Sequence, residues 1–140
     1  MRHWFRRLVR DERGSVAAEL VIATPLLLLL ILGVVQFAIW EHATHVADAV
    51  AQEGLATARL QGNTTQSGTA EANAVLAQLG QGVLVGPQVN ATRTAATTTV
   101  TVTGHAESVI GLFSLPVKAV ASGPTENYTT VGSAAGGAAP

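Results

Sequence analysis

Glu19 is the residue of this chain whose surroundings the sequence constrains most tightly. It directly precedes an uncharged stretch from Leu20 to Trp40, LVIATPLLLLLILGVVQFAIW. A carboxylate next to a lipid core is costly, by up to about 2.5–3.5 kcal/mol at the centre of a membrane helix and less at its edge. Glu19 therefore needs either a cationic partner or water and the positive end of a helix dipole close by.

The other side chains that could perform catalysis or bind a metal are few and isolated. His42 and His45 lie on one face of a predicted helix beside Glu41, but no third ligand and no zincin motif accompany them. The chain has no cysteine, which excludes thiolate metal sites, disulfides and a cysteine nucleophile. Glycine-rich phosphate loops and serine nucleophile elbows are also missing. We therefore expect no catalytic residue, no metal, no cofactor, no small-molecule substrate and no enzymatic activity.

Positive charge is concentrated in the first 18 residues, where five arginines against two acids give a net charge of +3. These arginines are Arg2, Arg6, Arg7, Arg10 and Arg13. Residues 41–140 have three basic and six acidic side chains, a net charge of −3. Because basic residues beside a membrane span stay cytoplasmic, we expect the arginines to set the topology, with residues 41–140 extracytoplasmic. The acidic, aromatic-poor external part is not expected to bind nucleic acid.

The stretch Leu20–Trp40 has the length of a membrane-spanning helix. As a helix, its 21 residues extend about 31 Å, and the hydrocarbon core of a bilayer is about 30 Å thick. A cleaved secretory signal would have a shorter apolar run that ends at a small-x-small site. The sequence thus predicts a single-pass protein of the plasma membrane, in contact with the lipid bilayer. Within the span, the Gln36 amide needs a partner, either on another helix or in water near the outer boundary.

The junction between the leader and the span has a more specific pattern. Residues 13–19 are RGSVAAE, a basic leader with a glycine followed five positions later by glutamate. This arrangement resembles a class III (prepilin-type) signal. Residues 14–37 also resemble the TadE-like pseudopilins of tight-adherence (Flp-type) pilus systems, which are single-span proteins with a small external domain. Leu20 stands where that family often has an aromatic residue, and Gln36 where it often has an acid.

The resemblance implies processing and assembly roles for residues at this junction. A membrane prepilin-type peptidase would cut between Gly14 and Ser15 on the cytoplasmic side. The new α-ammonium group of Ser15 would then pair with Glu19 of a neighbouring copy and set the register of the two helices. The implied partners are other pilus-assembly or pseudopilin subunits, bound through the transmembrane helix. The alternative is an uncleaved signal-anchor protein whose external domain binds another component of the cell envelope.

The external part is predicted to be α+β, with a helical stem, a short helix and a small antiparallel three-stranded sheet. We expect a leader at 1–14, a transmembrane helix and stem at 15–60, a linker at 61–70, an external domain at 71–126 and a disordered tail at 127–140. The stem has an apolar stripe, which suits packing either on another helix or on its own domain: Val46, Ala47, Val50, Ala51 and Leu55.

Alternation of side chains predicts the strands. Thr97–Ala106 places Thr98, Val100, Val102 and Ala106 on one face and threonines on the other. Partner strands are expected at 89–92, after a break at Gly86-Pro87, and at 116–121. The apolar segment VIGLFSL, residues 109–115, is expected to fill the core, with a loop that contacts a partner or the membrane as the alternative.

Overall fold

The computed structural model describes residues 12–109, 111 and 113–127. These residues form two helices, α1 (Glu12–Ala58) and α2 (Thr65–Leu79), and three strands, β1 (Leu84–Arg93), β2 (Thr97–Ala106) and β3 (Pro116–Pro124). The predicted fold class is confirmed: a long apolar helix, a short helix and an antiparallel three-stranded sheet. The predictions for the first four arginines and for residues 128–140 lie outside the described residues.

The 47-residue helix α1 continues without interruption from the apolar stretch into the stem, through Pro25. Between Val16 and Val35 its side chains are exposed, apart from the half-buried Leu32. From Gln36 onward one face is buried. Within the described residues, α1 is the one helix long and apolar enough to cross a membrane. The inner half of α1 is thus free to contact lipid, while its outer half belongs to the folded domain.

The predicted apolar stripe of the stem is buried by the protein's own external domain. All five residues of the stripe are at least nine-tenths buried, and α1 contacts α2, β2 and β3. Small side chains such as Ala47 and Ala51 allow the helix to lie close to the sheet. Of the two alternatives left open by the sequence, the structure therefore selects packing on the chain's own domain.

Helices α1 and α2 approach most closely at two glycines. A Cβ atom on Gly54 would lie 2.9 Å from the Ala72 methyl group, and one on Gly68 would meet the Ala58 methyl group. Helix α2 begins at Thr65, after the N-cap residue Thr64, whose hydroxyl accepts a hydrogen bond from the Ser67 amide. The predicted linker over 61–70 is wrong in its second half, because those residues are needed for the helix crossing.

The sheet has the order β1-β2-β3, with both pairs antiparallel. The predicted inner face of β2 is confirmed: Thr98, Val100, Val102 and Ala106 are all buried. In β3, Val117, Ala119 and Ala121 extend this inner face. The predicted break at Gly86-Pro87 is a bulge within a continuous β1, since the register shifts between Val85 and Gln88 and Gly86 has φ +57°.

Two described apolar residues between β2 and β3 lie outside the core. Val109 is 53% exposed and Phe113 is 59% exposed, while Leu115 packs against the core. The prediction that residues 109–115 fill the core is therefore wrong for Val109 and Phe113. The core is formed instead by the buried face of α1 and the inner faces of β2 and β3, with Leu115 as the member of this segment that packs against it.

Replacement of Gly68 by alanine is expected to destabilise the external domain. Alanine in a helix ordinarily gains about 0.8–1.0 kcal/mol over glycine, but here the new methyl group would lie 2.7 Å from the Gly54 carbonyl oxygen. We expect a net loss of about 1–3 kcal/mol, the usual cost of overpacking, measured by thermal unfolding of the full chain in detergent. The control is Asn73→Ala, at an exposed position of the same helix. An unchanged or raised midpoint for Gly68→Ala would contradict the close crossing.

Candidate functional site

The predicted processing and pairing residues lie on one helix. Gly14, Ser15 and Glu19 are all within α1, and so is Arg13. The Glu19 side chain is exposed, and within the described part of the chain no ion pair involves it. Ser15 and Glu19 are separated by four residues, about 6 Å along a helix axis and on the same face. The structure therefore places Glu19 on an open helix surface, accessible to a group outside this chain.

At the outer end of the exposed stretch, Gln36 connects α1 to the loop after β2. Its side chain is only 6% exposed. The amide nitrogen donates to the Glu107 carbonyl oxygen at 3.2 Å, and the amide oxygen accepts from the Val109 N–H at 3.0 Å. The prediction that the Gln36 amide bonds to another helix or to water is therefore wrong. Backbone groups of the chain's own external domain bond to both the nitrogen and the oxygen of this amide.

Trp40 makes a second connection one helical turn further out. Its indole N–H donates to the Pro116 carbonyl oxygen at 3.1 Å, and its ring lies 5.8 Å from the Phe37 ring, centroid to centroid. The two ends of the segment between β2 and β3 are thus both bonded to α1. These two bonds fix the position of the domain relative to the membrane helix.

The far end of α1 is stabilised by an arginine that the sequence analysis did not single out. The Arg93 guanidinium, from β1, donates to the carbonyl oxygen of Ala58 and, at 3.0 Å, to that of Leu60. Carbonyl groups at a helix C-terminus lack intrahelical donors and carry partial negative charge, so a cation there is favourable. The last turn of α1 contains no basic residue of its own, and Arg93 supplies the cation from β1.

The histidines of the stem do not form a metal centre with the residues described. His45 Nε2 lies 3.2 Å from Glu41 Oε1, on a well-exposed part of α1. Among the described residues, no three histidine or acidic side chains converge. The Glu41–His45 contact is therefore a surface pair between adjacent turns of one helix.

Replacement of Gln36 by leucine is expected to loosen the loop without preventing folding. The substitution leaves the Glu107 carbonyl and the Val109 N–H without their side-chain partners, at a cost of about 1–3 kcal/mol. Hydrogen exchange of the full chain in detergent should show faster exchange at the Val109 amide. Gln52→Leu, at an exposed position of the same helix, is the control. Equal protection of this amide in both variants would contradict the role of Gln36.

Comparison with known proteins gives one match. Residues 14–55 match the family described as TadE-like protein. Neither a curated protein nor a solved structure matches the chain. The matched segment begins at Gly14, includes Glu19 and Gln36, and ends within the stem that packs on the sheet. Residues 14–55 are therefore similar to the TadE-like family, and this similarity suggests a single-pass membrane protein with a role related to tight-adherence pili.

Proposed function

We propose that this protein is a non-enzymatic minor pseudopilin that takes part in assembly of a tight-adherence pilus. The observation that carries the proposal is the TadE-like match, which begins at Gly14 and covers the whole exposed apolar part of α1. A structural role suits a chain that presents an apolar helix long enough to cross a lipid bilayer. The arginine-rich leader supports an orientation with the N-terminus in the cytoplasm and the sheet domain outside.

The division of α1 at Gln36 limits which surface can bind other subunits. The stem stripe is buried by the chain's own sheet, so it is not available to a partner. The exposed part, Val16 to Val35, remains for contacts between helices in the bilayer. We therefore assign the subunit contacts to this inner half of the helix, at whose cytoplasmic end Glu19 lies.

Glu19 would act as the charge that sets the register of neighbouring helices. If the peptidase cuts after Gly14, Ser15 provides an α-ammonium group at the membrane edge. That cation and an exposed Glu19 on a second copy form a complementary pair in a low-dielectric region, where such pairs are strong when geometry is good. A displaced helix would leave both charges unpaired, so the pair favours one register.

Cleavage after Gly14 is expected in cells that contain a prepilin-type peptidase. Intact-mass analysis of the membrane-extracted protein should show loss of residues 1–14. Gly14→Ala should block the cut, because an added methyl group does not fit a site that selects glycine. The control is Gly33→Ala, which is in the same helix and has open space around it, and which should be cleaved normally.

A wild-type chain that keeps Met1 in such cells would contradict the processing step. That result would favour the uncleaved signal-anchor protein, whose external domain binds another component of the cell envelope. The same preparation from cells without the peptidase should contain the full-length chain in either case.

Replacement of Glu19 by alanine is expected to impair pilus assembly and not membrane insertion. Loss of one partner from a pair in a low-dielectric site costs about 3–5 kcal/mol, so surface pili should fall by more than about tenfold. Insertion should be unaffected, because removal of a charge makes transfer into lipid easier. Surface pili are counted by electron microscopy, and insertion is measured by carbonate extraction. The control is Glu53→Ala, at an exposed position of the stem. Normal piliation with Glu19→Ala would rule out the pairing role.

A further inference from the structure

We propose that the exposed side chains of Val109 and Phe113 are a second membrane contact, embedded in the outer lipid–water interface beside α1. We call this pair of side chains the loop patch. The inference rests on α1 crossing the membrane and does not depend on the pilus role. It assigns a lipid-binding surface to the external domain itself.

Hydrogen bonds to α1 hold both ends of the stretch that carries the loop patch. Gln36 bonds to the backbone of Glu107 and Val109, and Trp40 bonds to the Pro116 carbonyl oxygen. Since Gln36 and Trp40 are one turn apart, the two ends of the stretch from β2 to β3 lie beside that turn of α1. Within this stretch Val109 and Phe113 are 53% and 59% exposed, and Phe37, on the same turn of α1, is also exposed.

The length of the span sets the depth of this turn. A hydrocarbon core of about 30 Å takes about 20 helical residues. Counted outward from Leu20, the first residue after Glu19, these residues end at Ile39. Gln36 lies three residues before that point, about 4.5 Å inside the boundary. The backbone bonded to Gln36 is therefore at the level where acyl chains meet headgroups.

The chemistry of the loop suits this level. From Ser108 to Val117 the sequence has no charged residue. Irregular backbone is tolerated near lipid only when its N–H and C=O groups have hydrogen-bond partners. Several backbone groups in and next to this loop have such partners. Besides the two groups bonded to Gln36, the Ala106 N–H donates to the Leu115 carbonyl and the Glu107 N–H to the Val83 carbonyl. The exposed carboxylate of Glu107 limits the immersion to the interface.

An apolar crevice next to the loop adds to the lipid-facing surface. It has a volume of about 340 Å³ and is lined in part by Val35, Ile39 and Val83. Because Val35 and Ile39 are on the membrane helix, the crevice opens at the same depth as Gln36. An acyl chain or the glycerol region of a lipid fits its mostly apolar lining, so the membrane surface continues from α1 onto the domain.

The test uses the full chain in vesicles of phosphatidylethanolamine and phosphatidylglycerol. Because the chain has no cysteine, Phe113→Cys and Val109→Cys can each be labelled with a single environment-sensitive fluorophore. The matched control is Val120→Cys, since Val120 is 54% exposed but lies on β3 about 13 Å of strand beyond Pro116. Quenching is measured with nitroxide-labelled lipids and with aqueous iodide.

Labels at 109 and 113 are expected to be quenched several-fold more by a shallow nitroxide lipid than the label at 120, with blue-shifted emission. The label at 120 should be quenched mainly by iodide. Equal iodide quenching at 113 and 120 would overturn the proposal. The proposal would also be overturned if protection of the label at 113 from iodide disappeared when the protein is diluted in excess lipid. That result would indicate that the label contacts another protein molecule and not lipid.

Discussion

Packing of the outer half of α1 against the inner face of the sheet is the interaction on which the other features of the molecule depend. The sheet has three strands, and its inner residues, Val100 and Val102 among them, are covered by α1. A sheet of this size needs a second layer to bury one face in water. The anchor helix supplies that layer, so membrane attachment and folding of the domain use the same element.

This shared use explains the composition of α1. One half must be apolar on all sides, because lipid surrounds it. The other half must be amphipathic, with small side chains on its buried face, because a sheet and a second helix pack closely against that face. The change occurs at Gln36, the first fully buried residue of the domain-facing row. A polar side chain is tolerated at this level because two backbone groups of the loop satisfy its amide.

A continuous helix also joins the two environments. The hydrogen bonds of Gln36 and Trp40 and the buried stripe hold the sheet against the outer half of α1. At the far end, the Arg93 guanidinium bonds the sheet to the C-terminus of the helix.

Features that follow from local periodicity, or from the cost of moving charge into lipid, could be predicted from the sequence. It located the uncharged span, the carboxylate of Glu19 at its edge, the alternation of β2 and the stripe of the stem, since each follows from spacing along one element. The partners of Gln36, the start of α2 and the exposure of Val109 and Phe113 became known from the folded structure. Each depends on contacts between elements distant in the chain, such as the close crossing of the two helices at Gly54 and Gly68, and such contacts leave no periodic pattern within one element.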